Sequence, residues 1–229
     1  MTGTIINAAT IILGGILGKI IGNKLPDSMQ KTVLNGIGLI VILLGIEMAL
    51  GTSNILVILI SLVVGIIIGE YMKIEYYLEV LGGKIEKAVQ KKFSGTGDVA
   101  KGFVTATLLF GIGPMAIMGS LENGLLGTYK LLGIKSTLDG ITSVVLGASL
   151  GIGVIFSAGP VLIYQGLISV FASWLEIILK ENIIVEMTAL GGVLIISIGL
   201  NILGLTKIKV GNMLPGLLVV IILAMIFIK

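Results

Sequence analysis

The sequence has no cysteine and no histidine, and its basic residues are all lysine. Without cysteine there is no disulfide and no thiolate nucleophile. Without either residue, zinc sites of the usual ligand types and His-based acid-base or triad chemistry are excluded. Without arginine, no rigid bidentate clamp for a carboxylate or phosphate is available. Charge itself is scarce: 12% of residues are charged, whereas a soluble domain carries roughly a quarter. What fills the chain is hydrophobic, 56% by composition with a mean hydropathy of +1.17. Such a chain belongs in a bilayer. Apolar runs of about 20 residues recur along it, so it is polytopic. The net charge of +3 reflects lysines placed for topology, and no basic nucleic-acid face is visible. The start, MTGT, lacks a charged n-region, so no cleavable signal is expected.

The fold class expected is an all-α polytopic membrane protein, one integral domain over residues 1–229 with about eight transmembrane helices. The spans fall at about Ile5–Ile21, Val33–Leu50, a third ending near Gly69, Gly102–Met118, Leu138–Phe156, a sixth from Gly159 to Lys180, Met187–Leu203, and a last one ending at Lys229. Lysines concentrate after the first, third and seventh spans, which makes those loops cytoplasmic and puts both termini outside. Lys130 and Lys135 fall on the outer side in this scheme. Between spans, Ile74, Leu78, Leu81, Ile85, Val89 and Phe93 recur at three- and four-residue steps among lysines and glutamates. That spacing predicts an amphipathic surface helix over about 73–95, interrupted at Gly82-Gly83 and closed by the Phe93-Ser-Gly-Thr-Gly loop.

Two Gly-Pro pairs, Gly113-Pro114 and Gly159-Pro160, each follow a phenylalanine by the same interval inside apolar, helix-length sequence. Proline removes a backbone donor and clashes with the preceding turn. In lipid the freed carbonyls need a partner, so such breaks tend to line interiors. Polar residues gather beside them. Ser120, Glu122 and Asn123 follow the first; Ser149, Tyr164 and Gln165 flank the second. Each has a bland reading, as a span end or a helix lock. Asn201 and Asn7 can contact a substrate or lock helices together. Glu47 reads as the only carboxylate well inside a span and is the coupling candidate, with interfacial snorkelling as the plainer alternative. Ser136-Thr-Leu-Asp139 resembles a helix capping box. Met115 and Met118 read as packing.

The second and seventh spans superpose in sequence, with Gly38, Ile42, Gly45 and Glu47 on Gly192, Ile196, Gly199 and Asn201 at a constant offset. The third and last spans then correspond as well. With opposite directions in the membrane this is the form of an inverted repeat, with halves at about 1–72 and 160–229. A competing match sets GNKLP (22–26) against GNMLP (211–215) in the same direction.

The segments GPMAIMGSLENG (113–124), KSTLDG (135–140), SAGPVLIYQG (157–166) and GGVLIISIGLNILGLTKIKVGNMLP (191–215) together resemble the YdfK/YqgA-like family of bacterial multipass membrane proteins. The resemblance spans nearly the whole chain and implies a bacterial inner-membrane location. It supplies no substrate, because the family is one of unknown function with transport suggested at most. Where the family pattern leads one to expect an acidic residue at the second polar position of GSLENG, this chain has Asn123, with Glu122 before it.

The expected function is a small secondary transporter of an amino acid, a carboxylate or an inorganic ion. Its substrate-binding candidates are Gly113, Pro114, Ser120, Glu122, Asn123, Ser149, Gly159, Pro160, Gln165 and Asn201. No cofactor or metal is expected beyond coupling by sodium ions or protons. An ion channel, or a structural or regulatory protein acting through residues 70–101, is the alternative; an enzyme is not expected. The partners expected are the lipid bilayer, a small solute or ion and a second copy in a homodimer, since glycine faces allow close helix packing.

Overall fold

A computed structural model describes residues 1–90 and 98–228 of the protein. Among the described residues the secondary structure is helical throughout, with no strand. In chain order the helices are α1 (Thr2–Gly22), α2 (Asp27–Ala49), α3 (Ile55–Met72), α4 (Ile74–Gln90), α5 (Val99–Gly111), α6 (Pro114–Leu125), α7 (Lys130–Leu150), α8 (Gly153–Phe156), α9 (Ala158–Val170), α10 (Ala172–Ile178), α11 (Glu181–Ile202) and α12 (Gly216–Phe227), with a 3-10 turn at Val210–Met213. Seven segments are long and apolar enough to cross a membrane, and eight if the bent pair α5 and α6 is one span. Large apolar side chains such as Leu43, Leu59, Ile67, Leu218 and Ile226 stand exposed along them. Water would penalise such a surface, and a bilayer accepts it.

Local chemistry sets several boundaries. Asn54 caps α3 by accepting from the Leu56 N–H, and the Asp98 carboxylate accepts from the Lys101 N–H at the start of α5. The first Gly-Pro pair is a true break: Gly113 has φ +153° and α5 meets α6 at a bend of 63°. Gly159 and Pro160 instead sit in the first turn of α9, where proline is tolerated. The discontinuity lies just ahead of them, at Gly151, whose φ is 81°, and in the turn at Ser157.

Span positions shift in the second half. The segment from Lys130 is helical and belongs to a span over Lys130–Leu150, not 138–156. The cause is that two of its three charges, Lys135 and Asp139, neutralise each other inside the protein. The next span runs over Gly153–Val170, with α10 a separate short helix, and α11 begins six residues before the expected Met187. Helix α4 is continuous through Gly82-Gly83. There a Cβ at Gly82 would stand 3.2 Å from Ala100 Cβ, so the glycine serves close packing. The expected end of this helix near 95, and the loop at 93–97, lie outside the described residues.

The chain divides into two compact units. In unit 1 (Met1–Gly36, Glu79–Gly111, Met115–Leu175), α1 and α7 run parallel in near-backbone contact. A Cβ at Gly3 would lie 2.9 Å from Leu132 Cβ, one at Gly14 2.9 Å from Ser143 Cβ, and one at Gly22 2.8 Å from Ala148 Cα. The segment α8–α9 runs antiparallel to α1, with Ile155 beside Gly15 and Met1 beside Gly166. Helix α5 runs antiparallel to α7, Gly102 lying beside Leu150. Since α1 packs on α7 and α9, and α5 packs on both as well, the four close a ring.

In unit 2 (Ile37–Leu78, Ile112–Pro114, Glu176–Lys229), α2 and α11 pack antiparallel through paired glycines, Gly38 against Gly199 and Gly45 against Gly192. Helix α12 is likewise antiparallel to α3, with Gly65 against Gly216 and Gly69 against Asn212. The start of α4 is pinned here too: the Glu75 carboxylate accepts from the Gly211 N–H at 2.6 Å, and Asn212 Oδ1 accepts from the Glu75 N–H at 2.7 Å.

Candidate functional site

The helix ring of unit 1 is apolar for most of its length, yet each of its four members carries a buried polar atom with no hydrogen-bond partner among the described residues. Helix α1 contributes the Thr4 hydroxyl and both ends of the Asn7 amide, α5 the Thr107 hydroxyl, α7 the Ser143 hydroxyl, and α9 both ends of the Gln165 amide. Thr4, Asn7, Ser143 and Gln165 are each 0% exposed. A buried polar group left without a partner costs roughly 1–3 kcal/mol, so native interiors nearly always satisfy them. Two complete amides, one on each of two packed helices, are well outside that habit.

A buried ion pair lies on α7 of the same ring. Lys135 Nζ stands 2.6 Å from Asp139 Oδ2, one turn along α7, and both residues are only 7% exposed. The Asn7 amide is directed at Asp139 without reaching full hydrogen-bond geometry. Ser143 follows Asp139 by one further turn, so Lys135, Asp139 and Ser143 form a stripe on one face of α7.

The helix registers order these groups. Gln165 precedes Gly166, the neighbour of Met1, so it stands level with the first turn of α1 and with Thr4. Asn7 and Asp139 come one turn further in. Ser143, opposite Gly14, lies deeper still. From Thr4 to Gly14 the track covers about 15 Å at 1.5 Å per residue, half the thickness of a bilayer core of about 30 Å.

The sequence-derived candidates divide around this track. Ser120 and Asn123 are buried in unit 1. The Ser120 hydroxyl donates to Ala116 O, and its carbonyl accepts from Ser169 Oγ at 2.9 Å, one turn beyond Gln165. Asn123 donates to Thr128 O and leaves its Oδ1 unpartnered. Glu122 accepts from Thr128 Oγ1 at 2.5 Å and from the Leu131 N–H at 3.3 Å, which ties the α6–α7 loop. Ser149, in the last turn of α7, has Gln30 O at 3.5 Å. Gly159 is exposed and Pro160 half-buried, both in unit 1, while Gly113 and Pro114 group with unit 2. Asn201, also in unit 2, spends its amide closing the end of α11, donating to Ile208 O and accepting from Thr206 Oγ1 and the Ile208 N–H.

Two readings need correction. Ser136 is no cap: it lies in the second turn of α7, donates to Leu132 O, and leaves Asp139 to Lys135. Glu47 is exposed on α2 and is not the only carboxylate inside a span. Asp139 is one: the expected span began at Leu138 and left it at the edge, whereas the span runs over Lys130–Leu150. Glu186 is another, buried completely on α11 in unit 2. Its carboxylate accepts from Thr52 Oγ1 at 2.5 Å, Ser53 N–H at 2.8 Å and Ser53 Oγ at 2.6 Å. The sequence signal was there in the polar turn Gly51–Asn54, whose Thr52 and Ser53 hydroxyls offer donors beside an apolar span.

A family profile described as a protein of unknown function, DUF554, matches residues 2–225. The chain belongs to the DUF554 family. Two relatives agree with this placement. One is an uncharacterized membrane protein, YdfK, of Bacillus subtilis (strain 168), 35% identical over 225 residues that cover 96% of this chain and 93% of the relative. The other is an uncharacterized protein, YqgA, of Escherichia coli (strain K12), 28% identical over 218 residues that cover 94% and 93% of the two chains. No solved structure matches this chain. This DUF554 member is therefore a multi-span helical membrane protein of a family without an assigned activity.

Proposed function

We propose that the protein is a small secondary transporter and that the polar track inside the α1–α5–α7–α9 ring is its substrate path. The observation that carries this reading is the fully buried Gln165 amide, which has no hydrogen-bond partner among the described residues and stands on a helix packed against the one that carries the buried Asn7. Intramembrane polar groups are costly and mark pathways when they face a protein interior. A carrier for a small polar solute needs donors and acceptors that are held in place and left unspent. The natural home is a bacterial inner membrane, where α-helical spans satisfy their own backbone groups.

The helix pairing adds support from a different direction. The offset that sets α2 on α11 also sets α3 on the Val210–Phe227 segment and α1 on α9 and α10. In each case helices so matched pack antiparallel, α1 doing so with α9. An inverted repeat of three helices, with α4–α8 between the halves, explains all three pairings. That construction is common among secondary transporters.

A thermal-shift screen of the purified full-length protein tests the reading. A solute that binds the folded state raises the apparent melting temperature by mass action. Against a panel of amino acids, small carboxylates and monovalent ions, at least one hit is expected. It should vanish in Gln165→Leu and persist in Lys84→Ala on α4. A blank across the panel, or a hit that ignores both Gln165 and Asn7 substitutions, contradicts the proposal.

A further inference from the structure

We propose that the substrate is a small zwitterion, an amino acid or a close analogue, recognised by exchange of partners with the Lys135–Asp139 ion pair; this rests on the transport reading above. The pair lies inside a membrane span, on the face of α7 packed against α1. A buried ion pair is a poor stabiliser, since desolvation of both charges offsets their attraction. Its presence therefore calls for another use. Its two charges sit one helical turn apart and are already joined, so the site is neutral as it stands.

Three classes of solute meet this site differently. A simple anion that takes Lys135 strands Asp139 as a buried unpaired carboxylate, which is costly. A simple cation strands Lys135 in the same way. A zwitterion compensates both, its carboxylate meeting the Lys135 ammonium while its own ammonium meets Asp139. The surroundings fit the remaining hydrogen-bonding capacity. An α-ammonium has three N–H groups and a carboxylate about four lone-pair sites. Asn7 lies beside Asp139, and Thr4, Ser143 and Gln165 are buried donors and acceptors on helices of the same ring, without partners among the described residues. With no arginine in the chain, lysine supplies a point charge that can swing between partners, where a guanidinium fork would hold on.

The test is charge selectivity, measured by thermal shift on the full chain with alanine, propionate and ethylammonium as matched probes. Alanine is expected to shift the wild type, with propionate and ethylammonium at least tenfold weaker. Asp139→Asn should lose alanine selectivity and gain a response to propionate; Lys135→Met should do the converse with ethylammonium. Lys135→Met/Asp139→Leu, in which neither charge is stranded, guards against misfolding of the single variants and should respond to none of the probes. If some solute binds in a Gln165-dependent way while the double variant retains its full response, the zwitterion inference is overturned and the transport reading stands. If no solute of any class binds, both fall.

Discussion

Gly45 on α2 and Gly192 on α11 face each other so closely that a methyl on either would strike the other's carbonyl oxygen, at 2.7 Å and 2.5 Å respectively. Neither helix can gain a side chain there without being pushed off its partner. Dense backbone contact of this kind is how apolar helices gain packing energy in lipid, where burial from water contributes nothing. Gly192→Val should therefore destabilise by about 1–3 kcal/mol, the usual range for overpacking. Gly36→Ala on the same α2, where a Cβ meets nothing within 4 Å, should be neutral or raise the melting temperature slightly. Thermal unfolding in detergent of both variants reads the contrast.

Glu186 holds the turn between α2 and α3 to α11 by three hydrogen bonds at one carboxylate. Glu186→Leu leaves the Thr52 and Ser53 donors without their acceptor and should cost about 2–4 kcal/mol, given roughly 1.5–3 kcal/mol for a bond to a charged group and further loss from stranded donors. Hydrogen exchange at the Ser53 amide should rise in step with that loss.

The Lys135–Asp139 pair should behave non-additively. Removing one member of a buried pair typically costs about 3–5 kcal/mol, while replacing both with apolar residues is often neutral. Lys135→Met and Asp139→Leu should each lower the melting temperature sharply, and the double variant should recover most of it. Additive losses would mean that the two charges do not depend on each other.

The bilayer setting, the number of spans and the glycine faces were legible in the sequence, since each depends on local composition. The start of the α7 span was not. Lys135 read as an outer-loop residue and Asp139 as a cap at the edge of the fifth span, because hydropathy counts charges and cannot see that these two lie one turn apart and cancel. Glu186 was missed for a related reason: its donors lie 133 and 134 residues away in the chain. Gln165 was a candidate in the sequence already, because an amide beside a Gly-Pro pair in an apolar run stands out. Its relation to Asn7 needed the packing of α9 on α1, which no spacing within either helix encodes. Gly113-Pro114 and Gly159-Pro160 look alike in sequence and differ in the fold. The first has a glycine at positive φ between two helices, whereas the second opens a helix that a turn has already interrupted.

Gly113 has a φ of +153°, and a methyl added there would meet nothing within 4 Å, so its substitution isolates the backbone term. Gly113→Ala should cost about 1–3 kcal/mol, the usual scale for a residue held in a sparsely populated region. Gly159→Ala, which has the same open space at an ordinary φ, should cost far less, as compared by melting temperature.

The most direct test of the central claim is solute counterflow into proteoliposomes, with each variant's melting temperature measured on the same preparation. Leucine in place of Gln165 or Asn7 removes a buried, unpartnered amide. A substrate-path residue then gives up flux while stability holds or rises by about 1–3 kcal/mol. The account predicts saturable counterflow of a labelled amino acid in the wild type, reduced at least tenfold in Gln165→Leu and Asn7→Leu, with unfolding unchanged or later. Wild-type flux in both variants together with a lower melting temperature would contradict it, and would make the two amides helix locks instead.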